Sequence, residues 1–230
     1  MQPPTGIDLT SAVSLRRLAT SSTPGGEGLR GIDLDVLPGT FTVVAGGPGD
    51  GTDDVAQVLS GTLEPTSAER FRVFGVELMS VPAGQRAAWL ERHVTLVDGP
   101  APLLPYLTVA ENLRLADRSG ESAETVAALA GRGVLARVPA LLTGHETWLV
   151  SLALALSSAS DILVVRLPSD PRDTAWTGSL RRQVDLIGRT VILTGGAATC
   201  RMADAVIVLR AGRLAGDRPD AVPADHETLE

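Results

Sequence analysis

The sequence predicts an α/β fold, with a core sheet, an antiparallel β edge and an inserted α-helical subdomain. Three observations carry this. An apolar run at residues 41–45 meets the turn Gly46-Gly47-Pro48-Gly49-Asp50-Gly51, and Val55, Ala56 and Leu59 then follow at helical spacing. Two later runs, 162–165 and 191–193, are apolar throughout, as strands covered on both faces must be. Before them, residues 108–156 read as mostly helical, broken by Gly131, Gly133 and Pro139.

In chain order, residues 7–18 and 31–36 alternate, with Ile32, Leu34 and Val36 on one face and Asp33 and Asp35 on the other. This suits antiparallel strands with one wet face. Residues 20–28 are rich in Ser, Thr and Gly and read as a loop. The central strand, turn and helix (52–60) lead to the turn Glu64-Pro65-Thr66, a short strand at 71–74 and a helix to about residue 92, with Pro82 at its start. Residues 94–97 form another short strand, and 98–105, with three prolines and a glycine, an exposed loop. After the helical segment come strand 162–165, a helix over about 173–187, strand 191–193 and closing strands from 206 to 214. Residues 217–230 form an acidic tail expected to be disordered. As one domain, the core takes residues 7–83 and 161–216 and the helical subdomain 84–160.

With 230 residues the chain can bury a proper core. Its net charge of −7 argues against nucleic acid as a direct partner, because phosphate backbones need clustered Lys and Arg. One cysteine, Cys200, excludes a disulfide framework and suits a reducing cytoplasm, and three histidines give no metal cluster. The N-terminus shows no secretory signal, and the longest uncharged stretch, 147–160, is too short to span a bilayer. Direct membrane insertion is therefore not expected. His93 and His145 read as surface or packing residues, and Trp148 and Leu149 as core.

A strand, a glycine turn and a helix N-terminus make the frame of a phosphate-binding loop. In G-x-x-x-x-G-K-[ST] the lysine reaches the outer phosphates and the hydroxyl holds magnesium. Here Thr52 and Asp53 occupy those positions, followed by Asp54. Placing a carboxylate about 4 Å from a phosphate charge costs on the order of 4 kcal/mol at an effective dielectric of 20.

The stretch Leu103-Leu104-Pro105-Tyr106-Leu107-Thr108-Val109-Ala110-Glu111-Asn112-Leu113, taken with that frame, resembles the ATP-binding subunits of ABC transporters. Those serving lipoprotein-release and macrolide-type exporters are the most similar. The resemblance covers roughly residues 12–214, including Gly61 with Pro65-Thr66 and the closing Gly212-Arg213. It implies a P-loop NTPase-like ABC ATPase core, paired head to tail with a second ATPase subunit to drive a membrane permease.

Each motif that meets ATP departs from the family pattern. The phosphate loop keeps Gly46, Gly49 and Gly51 but carries Thr52, Asp53 and Asp54, and no aromatic precedes Phe41 to stack adenine. Gly99 stands at the glutamine that orients water and metal. The signature LSGGQ aligns with Leu142, Thr143, Gly144, His145 and Glu146. The strand that should end in Asp-Glu ends in Arg166-Leu167, before Pro168-Ser169. The histidine position falls on Gly196 or its neighbour Gly195, and Asp173 fits the aspartate of the dimer-contact loop.

Two expectations follow from the resemblance. Asp53 and Arg166 stand where one magnesium is shared, and are expected to form an ion pair in that place. Thr143 and Gly144 are expected to cap a nucleotide held by the partner. Because losing one well-placed polar group typically costs about a hundred- to a thousand-fold in rate, loss of the lysine, the acids, the glutamine and the histidine predicts a pseudo-ATPase. It would have no nucleotide or metal in its own site, with Mg-ATP shared at most at the interface with an intact partner. The role implied is a structural or regulatory subunit, cytoplasmic and peripheral on the inner face of the membrane, docked on a permease through Glu111, Asn112 and the loop 98–105. The rivals are an ordinary ATP-hydrolysing ABC subunit and a soluble scaffold outside a transporter.

Overall fold

The computed structural model describes residues 11–22, 26, 28–116, 121–167 and 175–215. The expectations for residues 7–10, Pro168, Ser169, Asp173 and the tail 217–230 lie outside them.

Two sheets share one chain. The first is antiparallel, in the order β2-β1-β4-β5, built from β1 (Val13–Ala19), β2 (Arg30–Val36), β4 (Arg70–Val73) and β5 (Val76–Glu77). The second runs β10-β9-β3-β8-β7-β6 and comprises β3 (Phe41–Ala45), β6 (Val94–Val97), β7 (Ile162–Arg166), β8 (Thr190–Gly195), β9 (Ala205–Arg210) and β10 (Arg213–Leu214). All its pairings are parallel except that of β10 with β9.

The apolar runs of the parallel sheet divide by parity, because successive side chains of a strand point to opposite faces. Phe41, Val43, Leu163, Val165, Val191 and Leu193 enter one core cluster; Val44, Ile162, Val164 and Ile192 enter another. The second cluster lies under the antiparallel sheet and contains α1 (Thr52–Ser60), through Val55, Ala56, Val58 and Leu59, and Leu90 of α2 (Ala83–His93). The first is closed by α3 (Val109–Ala116), α4 (Glu121–Ala130), α5 (Gly144–Leu156) and α6 (Ala175–Ile187). From Trp148 to Leu156 helix α5 is apolar on nearly all sides and is accordingly buried, Leu154 only in part.

The expected start of the helical subdomain at residue 84 is corrected. Strand β6 pairs in register with β7, from Val94 opposite Ile162 to Val97 opposite Val165, and α2 buries Leu90 beside α1. Both belong to the core, so the helical segment begins at α3. The uncharged stretch 147–160 is also shorter as a helix than its composition suggests. Helix α5 ends at Leu156, where Arg189 donates to Ala155 O, Leu156 O and Ser160 Oγ. A guanidinium satisfies carbonyls that a helix end leaves unpaired and complements its dipole.

Candidate nucleotide site

Helix α1 begins where β3 ends, and the glycines between them set the entry. Gly51, the N-cap of α1, has φ 95°, a left-handed conformation that a side chain strains to adopt. Asp50 fastens this loop from within. Its Oδ2 accepts from Gly47 N–H (2.7 Å) and its Oδ1 from Ala211 N–H (2.9 Å), while Gly212 N–H donates to Asp50 O (3.1 Å). The loop is thus tied to the β9–β10 turn. At the other end of β3, Asp204 accepts from Phe41 N–H (2.8 Å), and Arg181 of α6 holds that carboxylate at 2.9 Å.

At the carboxyl ends of β3, β6, β7 and β8 lies a cleft of about 410 Å³. Open parallel sheets bind ligands at such ends. The cleft is walled by Gly46, Gly47, Pro48, Thr52 and Asp53 from the loop and α1, and by Asp98, Gly99 and Pro100 after β6. Arg166 and Leu167 close it after β7, Gly195 and Gly196 after β8, and Gly144 and Trp148 from α5. The phosphate loop, the Gly99 position, the end of β7 and the paired glycines after β8 therefore meet around one space.

Inside it, Arg166 Nε lies 3.1 Å from Asp53 Oδ1. The side chains keep 37% and 56% of their surface exposed, so the pair belongs to the class worth about 0–1 kcal/mol, not the 3–5 kcal/mol of a buried pair. Asp54 is placed differently from the sequence expectation. It turns away from the cleft and is buried, its Oδ2 accepting from Thr20 Oγ1 at 3.3 Å, and burial pushes its carboxyl up from the ordinary value. Only one of the two acids after Thr52 faces the loop's ligand side. Leu167 is buried in the core cluster, with its N–H on Thr194 O. Gly195 has φ 135° and a Cβ there would stand 3.0 Å from Leu167 Cβ, whereas a Cβ on Gly196 would meet nothing within 4 Å. Of the two, position 196 has room for a side chain.

The start of α5 is a closed hydrogen-bonded unit. Thr143 caps the helix, its Oγ1 accepting from Glu146 N–H (3.2 Å), and Glu146 Oε2 accepts from Thr143 N–H (2.8 Å), the reciprocal box expected of Thr-x-x-Glu. Arg137 bonds the other oxygen of Glu146. That guanidinium first, and the Thr143 N–H second, lower the Glu146 carboxyl from its usual 4.5 to about 2. Thr143, His145 and Glu146 line a neighbouring cavity of about 430 Å³, shared with Trp176 and Ser179 of α6. Gly144 alone of the five signature positions lines the cleft, while Leu142 packs against the core.

A folded carboxyl below its unfolded value stabilises above the unfolded value and loses that contribution as pH falls. Glu146→Gln is therefore expected to cost about 1 kcal/mol at neutral pH, the worth of a helix cap. The difference from the parent should shrink between pH 4.5 and about 2. Urea denaturation across that range checks it; an equal difference at pH 7 and at pH 2 would show that the charge contributes nothing.

The expected permease contacts divide. Glu111 is exposed and accepts from Thr108 N–H (2.7 Å) and Thr108 Oγ1 (2.8 Å), so it starts α3. Asn112 is corrected as a contact residue. It is 7% exposed, its Oδ1 accepts from Leu104 N–H, and its amide donates to the carbonyls of Leu104, Leu107 and Thr108. It shapes the loop from within and leaves Leu104 and Tyr106 exposed beside Glu111. Asp98, expected in a permease-facing loop, and Trp148, expected in the core, both line the cleft, and Asp50, to which the sequence assigns no role, fastens the glycine loop. A lone carboxylate between two glycines was the available signal for Asp50. The Cys200 thiol is buried and pushed up by that burial, consistent with an inert side chain.

No protein-family model matches the chain. It is 30% identical over 224 residues to the aliphatic sulfonates import ATP-binding protein SsuB 1 of Rhizobium johnstonii, covering 91% of this chain and 77% of that protein. It is 29% identical over 226 residues to the macrolide export ATP-binding/permease protein MacB of Rhodopseudomonas palustris, covering 90% of this chain and 34% of the relative. The chain thus spans about a third of the length of that export protein. Among solved structures, an ATP-binding cassette in a dimeric post-hydrolysis state with ADP and Pi superposes with a TM-score of 0.71 at 18% identity. The match covers 89% of this chain and 97% of that one. The ATP-binding subunit of an ABC transporter superposes with a TM-score of 0.68 at 18% identity, covering 90% and 89%.

These findings overturn the expectation that the chain is no enzyme. Relatives matched over nine-tenths of it are named as ATP-binding proteins, and the fold is that of a solved ATP-binding cassette. That expectation rested on the combined loss of the lysine, the acids, the glutamine and the histidine. The folded cleft keeps the glycine loop, the helix start and a cation, Arg166, around one space. On this likeness, over nearly its whole length, the chain belongs to the family of ABC transporter ATP-binding proteins.

Proposed function

We propose that this chain is an ATP-binding subunit of a membrane transport ATPase, working as one of two such subunits docked on a permease. The observation that carries it is the cleft at the carboxyl ends of the parallel strands. There the start of α1, which no side chain caps, turns its first backbone N–H groups toward phosphate and Arg166 supplies positive charge. The names of the matched relatives, an import ATP-binding protein and an export ATP-binding/permease protein, support transport as the setting.

The pair is read as asymmetric, with a different chain as second subunit and a regulatory share for this one. Thr52 and Asp53 give its loop a charge pattern unlike that of a lysine-bearing partner, and the exposed Thr143–Gly144 corner is offered to the partner's nucleotide. The chain is read as peripheral on the cytoplasmic face. Among the described residues no helix is long and apolar enough to cross a membrane, and the permease is met through Leu104, Tyr106 and Glu111 at the exposed end of the loop before α3.

The test is to purify the chain alone and with its associated proteins, and to measure Mg-ATP binding and turnover on each. The expected result is nucleotide binding by the chain and turnover by a complex containing a second ATP-binding subunit and a permease. Thr143→Trp is expected to lower turnover of the complex. Absence of nucleotide binding in both preparations would overturn the ATP-binding reading. Turnover unchanged by Thr143→Trp would overturn the capping role.

A further inference from the structure

Among the described residues, the charged side chains lining the nucleotide cleft are Asp53, Asp98 and Arg166. A polyanion such as a triphosphate needs positive charge in the space it enters, and Thr52 supplies none where the family carries lysine. Arg166 projects from the carboxyl end of β7 into that space, and its contact with Asp53, 3.1 Å and more than a third exposed on both sides, is one that water and ions can exchange. A guanidinium offers a planar fork of donors that fits phosphate as well as carboxylate.

We propose that Arg166 is the phosphate-binding cation of this cleft, and that its pair with Asp53 is a latch opened by the incoming nucleotide. The inference rests on the ATP-binding reading above. In the empty cleft the guanidinium is held on Asp53 and neutralises it. When a triphosphate enters, Arg166 changes partner from carboxylate to phosphate, a swap of one charge-assisted contact for another with little net desolvation. Asp53 is left as an anion near the phosphates, so the latch sets a cost on binding. Asp53→Asn removes both that cost and the latch.

The experiment measures ATP and inorganic tripolyphosphate affinity of the full chain by equilibrium dialysis at fixed Mg2+. It uses the parent, Arg166→Gln, Arg166→Lys, Asp53→Asn and the double variant Asp53→Asn/Arg166→Gln, with thermal melts to show that each folds. Arg166→Gln is expected to weaken ATP about tenfold, Arg166→Lys to retain most of the affinity, and Asp53→Asn to tighten it. The latch is read from the cycle: the loss on Arg166→Gln is larger in the Asp53→Asn background, where binding no longer has to break the pair. Tripolyphosphate should follow the same order, because the contact is to phosphate and not to the nucleoside.

If the parent binds ATP and Arg166→Gln binds it equally well, the inference falls and the ATP-binding reading stands. If the Arg166→Gln loss is the same in both backgrounds, the latch falls. If the parent binds neither ATP nor tripolyphosphate, both readings fall together.

Discussion

Replacing Gly212 with alanine is expected to destabilise the protein by about 3 kcal/mol or more, in the range that marks a severe single substitution. Two causes act at once. Gly212 has φ 74°, where a side chain is strained by about 1–2 kcal/mol. A Cβ there would also overlap Gly28 O, a backbone atom that cannot swing aside as a side chain can. The turn must shift, and it is bonded to the phosphate loop through Ala211 and Gly212 on Asp50 and to β2 through the Arg30 N–H on Gly212 O (2.8 Å). Gly31→Ala is the control, since Gly31 has φ 73° and open space around a Cβ. Denaturation curves showing Gly212→Ala no more costly than Gly31→Ala would mean that the close approach to Gly28 is not a constraint.

The second large effect is expected at Trp148. It is 6% exposed, packs edge-on against Trp176 with ring centroids 4.9 Å apart, and lines the nucleotide cleft. Truncation to alanine removes one of the largest side chains of the first core cluster and leaves a cavity between α5 and α6. Such a change costs about 3–5 kcal/mol. Trp148→Phe is expected to cost much less than its loss of volume suggests, because the indole Nε1–H is buried without a hydrogen-bond partner, and phenylalanine removes that orphan donor. Urea midpoints of the two variants separate packing from polarity. Equal losses for Ala and Phe would show that the ring itself contributes little.

How much of this was legible in the residues depends on how local the signal was. Helix α1 is found over Thr52–Ser60 and β6 over Val94–Val97, the spans their spacing predicts. The cues there, a glycine turn before an amphipathic run and a short apolar run before a proline-rich loop, lie within a few residues. The membership of β6 was not legible. Four apolar residues carry no mark of the strand they pair with, and Val94 meets Ile162 across the whole helical segment. Asp50 shows the same limit, since its bond to Ala211 spans 161 positions. Asp53 and Arg166 could be brought together on paper only because a resembled fold puts both positions at one site. Asn112 was placed at a permease contact only because the resembled family meets its permease there, whereas its amide is bonded to the carbonyls and N–H of the loop before α3.

The parity of the parallel strands has a further consequence. Since Val43 and Val44, or Val164 and Val165, look into different clusters, the sheet is a bulkhead between two compartments. A volume change on the α1 side is taken up among α1, α2 and the antiparallel layer, and one on the α5 side among the helices there. Each compartment can drift in sequence under its own packing constraints, and the strand ends they share, where the cleft lies, stay fixed while it does.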